Sequence, residues 1–178
     1  MIEGVDGSGK TSIAKLLAEK IDGEYYHSPS RKIEFLHKLA NASSPLFRYY
    51  YFLFGNYISS KEFKKILRKK QLVVDKYIYS TVAFHSEILG KKLELPKNLV
   101  TPDIIIYIKA DWYLIDKRIS ERPNRSKYEE IEFLKAVEKE YNRILKPLSN
   151  IIQIDTTNKT AEQAVTEITL KILQKAPQ

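Results

Sequence analysis

The segment GVDGSGKT, Gly4 to Thr11, constrains the chain more than any other. It fits G-x-x-x-x-G-K-[ST], and each fixed position has a physical job. Gly7 and Gly9 let the backbone curl so that several N–H groups point at one anion. Lys10 adds positive charge toward the outer phosphates, and Thr11 offers a hydroxyl to Mg²⁺. The stretch TSIAKLLAEKI follows, with Ile13, Leu16, Leu17 and Ile21 at helical spacing. A helix N-terminus therefore sits under the loop, and its dipole favours the anion. A strand must lead into such a loop, yet only Met1-Ile2-Glu3 precede it. Either that strand is very short or the native start lies upstream.

The rest of the chain alternates strand-like runs with helical patterns. GEYYHS, QLVVD, PDIIIYIKA and NIIQID read as strands, and the continuous apolar run of the third predicts burial on both faces. A long helix is expected from Pro45 through the 60s, a second closed by Gly90, and a third capped by Asp111. Two more place Leu134, Val137, Tyr141, Ile144, Leu145 and Leu148, then Ala161, Ala164, Val165, Ile168 and Ile172, on single stripes. This order predicts an α/β protein: a three-layer P-loop NTPase sandwich with a mostly parallel sheet of about five strands. One domain over 1–178 is expected, with ligands beyond the carboxyl ends of the strands.

Composition narrows the partners. There is no cysteine, hence no thiolate metal site, and no apolar run long enough to span a membrane. A soluble cytoplasmic protein is expected. The net charge of +8 suits a small polyanion or a nucleic acid. The densest basic run, Lys61, Lys64, Lys65, Arg68, Lys69 and Lys70, falls where a helix should end, and cations are favoured there. A solvated helix end is the better reading than a nucleic-acid stripe.

A phosphate loop does not by itself separate a kinase from a motor or a switch. Asp75, at the end of a buried strand, stands beside the loop in such a sheet and can hold Mg²⁺ directly or through water. Lys76 next to it reaches an anion in the same cleft. Both Lys10 and Asp75 are expected outside the core. Arg118, Arg122 and Arg125 form a second cluster, and Pro123-Asn124 breaks the helix between the last two. A mobile arginine loop, about 119–130, suits phosphoryl transfer, whose transition state spreads negative charge over equatorial oxygens.

Taken together, IEGVDGSGKTS, LVVDKYIYSTVAF, TPDIIIYI and RPNRSKYEE resemble the thymidylate kinase family in order and spacing over nearly the whole chain. The resemblance implies transfer of the γ-phosphoryl group of ATP to dTMP with Mg²⁺, in a homodimer. It implies that Gly4 and Gly7 to Ser12, with Ser8 and Gly9 inside that span, hold ATP together with Arg118, Thr157 and Lys159. It implies that Asp6 orients Lys76, that Thr11 and Asp75 organise the metal, and that Arg122 and Arg125 belong to the lid. Arg31, Arg48, Phe52, Lys76, Tyr77, Ser80 and Phe84 are implied to meet the monophosphate nucleotide.

Three positions depart from the family pattern. Lys76 stands where arginine is usual, which gives a point charge in place of a planar fork. Tyr57 stands where an arginine usually reads the base, with Phe52 or Phe54 as the preceding aromatic and Arg48 as a compensating cation. Phe84-His85 replaces Tyr-Gln; His85 either hydrogen-bonds a base carbonyl or sits at a core edge. These departures predict relaxed acceptor choice that includes dUMP. Two rivals remain: a deoxynucleoside kinase, which needs a carboxylate base that YYHSPSR lacks, and a non-catalytic P-loop protein that binds nucleic acid.

Overall fold

The computed structural model describes residues 1–123 and 126–175. In chain order the elements are β1 (Ile2–Glu3), α1 (Lys10–Lys20), β2 (Glu24–His27), a 3-10 turn (Arg31–Leu36), α2 (His37–Ala42) and α3 (Pro45–Ile66). Then come β3 (Leu72–Asp75), α4 (Ile78–Leu89), β4 (Ile105–Lys109), α5 (Trp112–Ser120), a short 3-10 turn (Lys127–Glu129), α6 (Ile131–Leu145), β5 (Ile151–Asp155) and α7 (Ala161–Lys175). The five strands lie in the order β2-β3-β1-β4-β5, and every pairing among the described residues is parallel.

The apolar runs explain the layers. Along β4 successive side chains alternate between faces: Ile105 and Tyr107 join one core, Ile106 and Ile108 the other. On the first face they meet Val82 and Ala83 of α4 and Leu134, Val137 and Tyr141 of α6. On the second they meet Ile13, Ala14 and Leu17 of α1 and Ala164, Val165 and Ile168 of α7. A parallel sheet buried on both faces follows. The helix ends are those expected. The Asp111 carboxylate accepts the Tyr113 N–H, and Gly90 closes α4 in a left-handed conformation with φ +58°.

Central strand β1 is two residues long. Ile2 is paired on both sides, with Asp75 and with Ile106, so the short strand is held by both neighbours. Among the described residues no helix is long and apolar enough to cross a membrane. The basic run ends α3 and continues past it, exposed to solvent.

Residues 31–42 carry too short a pattern for a sequence-based element. They form the first 3-10 turn and α2, a lip whose Ile33 and Ala40 pack on Tyr51 of α3. Beneath that lip, α3 crosses the Ser28-Pro29 segment, whose peptide bond is cis, at Gly55. A Cβ on Gly55 would lie 2.5 Å from Pro29 Cβ and 2.7 Å from Ile33 Cδ1, so helix and loop touch only because that atom is missing. Gly55→Ala is expected to push the loop away and to cost about 1–3 kcal/mol of stability, the usual cost of overpacking. Chemical denaturation measures this, and an alanine variant as stable as the parent would contradict it.

Candidate active site

Gly4 leaves β1 at φ +146°, and a Cβ there would lie 2.4 Å from the Ile108 carbonyl oxygen, so only glycine lets the chain turn into the loop. Gly9 ends the loop as the residue before α1. Lys10 and Asp75 are both buried, at 4% and 0% exposure, and not outside the core as the sequence suggested. Lys10 lies in the first turn of α1 and Asp75 at the carboxyl end of β3. The Lys10 ammonium donates to the Val5 carbonyl at 2.6 Å and lies 3.6 Å from Asp6. Burial pushes its pKa down to about 8 and neighbouring Lys76 adds to the shift, against the attraction of Asp6, Asp75 and Glu3.

Asp75 Oδ2 accepts the Thr11 hydroxyl at 2.7 Å and the Tyr25 hydroxyl at 3.1 Å, and faces His27 Nδ1 at 3.1 Å. Its Oδ1 is buried and has no partner among the described residues. Burial alone would raise this carboxyl; hydrogen bonds from His27 and Thr11, with Lys10 nearby, outweigh it and hold the pKa at about 2. Asp75 is therefore a buried carboxylate whose Oδ2 holds the Thr11 hydroxyl and whose Oδ1 is unpartnered.

Lys76, at the head of the β3–α4 turn, donates to Asp6 at 2.6 Å. Burial opposes ionisation of both, yet Lys76 with Lys10 holds Asp6 well below the usual carboxylate range, and Asp6 holds Lys76 above the usual amine range. This pair stands where two clefts meet. The first, of about 420 Å³, is lined by Asp6 to Ile13, Lys76, Arg118, Arg122, Thr156 and Lys159, among others. Arg118 donates to the Gly7 carbonyl at 3.1 Å, across the mouth of the loop. Thr156 Oγ1 donates to the Ser8 carbonyl at 3.2 Å, while the Thr157 hydroxyl ties Asp155 to the Asp111 N–H, away from the cleft. Lys159 lines the cleft with its ammonium on the Asp155 carbonyl.

The second cleft lies between α3 and α4. Its inner part is lined by Ser28, Pro29, Arg48, Phe52, Asn56, Tyr77, Ser80, Thr81, Phe84 and His85, and its outer part adds Arg122, Tyr128 and Glu129. Phe52 is thus the aromatic of α3 that faces this cleft. Phe54 is exposed, and Tyr57 points away from it; the residue one turn beyond Phe52 on its face is Asn56, in keeping with i, i+4 neighbours on a helix. Asn56 is committed to Thr81 and Ser28. Tyr77 borders the cleft, but its ring packs on Phe63 in the core. The Ser80 hydroxyl is turned to Glu3 and Tyr141. Arg31 opens onto a neighbouring cleft with Thr11, Lys15 and Tyr25. Arg122 pairs with Glu129 and lines both clefts. Arg125 lies outside the described residues.

Arg48 lies one turn before Phe52 on α3. Its guanidinium lies over the rings of Phe52 and Tyr128, 4.7 and 4.5 Å from their centroids, and donates to His85 Nε2 at 2.9 Å. Arginine has no acceptor, so Nε2 must be unprotonated and the proton sits on Nδ1, which donates to the Thr81 carbonyl at 2.8 Å. Sequence reasoning left His85 open; the signal was its position one residue after Phe84 on α4. It missed the contact of His27 with Asp75 and the role of Tyr141, which the apolar stripe of α6 concealed.

A parallel α/β sheet with a phosphate loop at its centre, an ionised carboxylate beside the loop hydroxyl and a second cleft opening on the same lysine defines a P-loop phosphotransferase architecture. Residues 2–168 match the family model described as thymidylate kinase, and the chain belongs to that family of kinases. A relative named "Probable thymidylate kinase" from Methanococcus vannielii is 32% identical over 99% of this chain and 96% of its own length. One of the same name from Methanocaldococcus jannaschii is 29% identical over 94% and 92%. The structure of thymidylate kinase from Candida albicans superposes with a TM-score of 0.78 at 22% identity, covering 97% of this chain and 89% of that one. A deoxyadenosine kinase from M. mycoides reaches 0.71 at 15% identity over 97% of both chains. At such identities these two likenesses establish the P-loop NTPase fold.

His85 makes the inner cleft sensitive to acid. Burial pushes its pKa down to about 4; the Thr81 carbonyl opposes that shift and Arg48 adds to it. An unfolded histidine titrates near 6.5, so between these values the unfolded chain binds more protons. The stability from a neutral His85 is complete above about pH 6.5 and is lost as the pH falls toward 4, by on the order of 3 kcal/mol. Denaturant unfolding of the parent from pH 7 to 5 is expected to lose more stability than that of His85→Gln; equal slopes would refute it.

Proposed function

We propose that the chain transfers the γ-phosphoryl group of ATP to dTMP, giving dTDP. The observation that carries this reading is the junction: Asp6, Lys76 and Arg122 line both the phosphate-loop cleft and the cleft between α3 and α4. A donor phosphate on the loop and an acceptor phosphate in the second cleft would meet there, between two cations. Catalysis of such a transfer is mostly positioning and charge stabilisation. Lys10 and the loop amides hold the donor phosphates, Lys76 draws in the acceptor phosphate, and Phe52 with Arg48 and Phe84 receive the base. Arg31, Ser80 and Tyr77 complete the acceptor side, and Arg118 and Lys159 the adenosine side, where Thr157 acts from outside the cleft by holding Asp155. The segment 119–130 acts as the lid, with Arg122 and Arg125 as its cations, within a single domain.

Thr11 and Asp75 suit a hard divalent cation. Both offer oxygen, and Asp75, whose Oδ2 is bonded to the loop hydroxyl, keeps an unpartnered Oδ1, which fits Mg²⁺ bound with the nucleotide. When bound, that ion neutralises charge on the transferring phosphates. The deoxynucleoside kinase reading is weaker. Its acceptor hydroxyl needs a base, and the carboxylates lining the second cleft, Asp6 and Glu129, are both committed to cations, Lys76 and Arg122. A soluble, cytoplasmic homodimer completes the reading. Phe47, Tyr50, Phe54 and Tyr57 form an exposed stripe along α3 at alternating three- and four-residue steps, a spacing that packs against its own copy. A monomer in sedimentation at micromolar concentration would remove the dimer from the proposal.

One assay tests both acceptor and lid: ADP formation from ATP with dTMP, dUMP, UMP, dCMP, AMP and thymidine, for the parent and for Arg122→Ala. The monophosphates of thymine and uracil deoxynucleosides are expected to be the best acceptors and thymidine inert. Among the described residues Arg48 is the one arginine lining the inner part of this cleft, so dTMP and dUMP are expected within about a hundredfold of each other, the span of one charged hydrogen bond. Arg122→Ala is expected to lower kcat by about a hundredfold with far less change in ATP affinity. Turnover of thymidine in place of dTMP would overturn the function, and parental turnover by Arg122→Ala would overturn the lid assignment.

A further inference from the structure

A carboxylate that this chemistry leaves unused is buried at the end of β1. Glu3 is fully enclosed. Its Oε1 accepts the Tyr77 backbone N–H at 2.9 Å. Its Oε2 accepts the hydroxyls of Ser80, at 2.6 Å, and Tyr141, at 3.0 Å. Tyr141 Oη also lies 3.3 Å from the Gly4 carbonyl. Burial raises the Glu3 pKa, and the bonds from Ser80 and Tyr141 together with the charge of Lys10 oppose the rise. Enclosing a carboxyl is costly, and an apolar side chain would fill this place in the core without that cost. The group therefore has a task other than packing.

That task lies in the turn between β3 and α4. Lys76 adopts φ +64°, a left-handed conformation disfavoured for any residue with a Cβ. Such a conformation persists where the surroundings over-determine it. Two bonds from β1 do so here. The Lys76 N–H donates to the Ile2 carbonyl at 3.1 Å, and the next N–H, of Tyr77, donates to the Glu3 carboxylate. Main chain cannot supply the second acceptor, because after Glu3 the chain turns away into the loop at Gly4. The side chain takes its place, and the turn so held aims the Lys76 ammonium at Asp6, at the junction of the two clefts.

We propose that Glu3 is a positioning residue: its carboxylate locks the β3–α4 turn, aims Lys76 at the junction, and through Tyr141 fixes that turn to the start of the phosphate loop. The kinetic consequence rests on the proposed phosphoryl transfer; the lock itself is a property of the ligand-free chain.

The test compares Glu3→Leu and Glu3→Gln, each in the parent and in Lys76→Ala, using ATP and whichever acceptor the parent turns over fastest. Glutamine keeps an oxygen for the Tyr77 N–H and leucine does not. Glu3→Leu is expected to lower acceptor kcat/KM by about thirtyfold, Glu3→Gln by less than about fivefold, with ATP affinity within about threefold in both. In Lys76→Ala, adding Glu3→Leu is expected to cost less than about threefold more, because residues acting through one another are not additive. Equal losses in both backgrounds, or ATP affinity falling in step with turnover, would make Glu3 a general structural residue and overturn the proposal. Amide hydrogen exchange separates this outcome from failure of the proposed function. In the ligand-free chain the Lys76 and Tyr77 amides are expected to exchange at least about tenfold faster in Glu3→Leu, with α1 unchanged. Unchanged exchange at Tyr77 overturns the lock whatever the acceptor. If the parent phosphorylates no monophosphate, the function falls and exchange still decides the lock. If Glu3→Leu fails to fold, Tyr141→Phe decides: a loss of acceptor kcat/KM in the parent that vanishes in Lys76→Ala supports the lock, and an equal loss in both overturns it.

Discussion

The pairing of Ile2 between β3 and β4 is the constraint on which the candidate site depends. One residue is bonded to both neighbouring strands, so the phosphate loop leaves the sheet beside Asp75 on one side and Ile108 on the other. Parallel strands put their carboxyl ends on one edge, so the loop, Asp75 and Lys76 arrive there together although more than sixty residues separate Asp6 from Asp75. What is needed is the sharp departure at Gly4, which the nearby Ile108 carbonyl permits only to glycine.

The edge so built concentrates charge in a small volume. Lys10, Lys76 and Arg122 face Asp6, Asp75 and Glu129, and most of these groups are largely removed from water. Burial disfavours each ion alone, and the shifts show the neighbours overcoming it for Asp6, Asp75 and Lys76 but not for Lys10. For Lys10, burial with Lys76 outweighs the attraction of Asp6, Asp75 and Glu3, and its ammonium rests on a carbonyl, the Val5 oxygen. A negative charge arriving beside this ammonium would favour its ionised form. A site arranged in advance in this way needs little reorganisation when charge develops, and that is the larger part of electrostatic catalysis.

Much of this was legible in the sequence, for definite reasons. The loop, its helix and the strand ending in Asp75 each carry a local pattern, so their elements and their proximity followed from the parallel topology alone. The short lip over residues 31–42 has no periodicity long enough to read, and its position is set by contact with Tyr51. The register of α3 was ambiguous because Phe52 and Phe54 are both aromatic; only packing shows that Phe52 and Asn56 face inward while Phe54 and Tyr57 do not. Tyr141 read as one more apolar position of α6, since a stripe records which face is buried and not which hydroxyl has a partner inside. His27 gave no signal because its partner Asp75 is brought to it by strand pairing, His27 opposite Asp75 in β2 and β3.

The two faces of α3 carry different demands, and this limits what the helix can be made of. Its inner face brings Tyr51, Gly55, Asn56, Ser59 and Phe63 against the lip, the Pro29 loop and the core. Phe52 and Arg48, beside that face, form the wall of the second cleft. The outer face is aromatic and open to solvent, which is unusual for so long a stretch unless something covers it. On the proposed dimer, the surface that joins two copies and the wall of the second cleft are opposite sides of one helix. A shift of that helix along the interface would move Phe52 and Arg48 relative to Phe84 and His85 on α4.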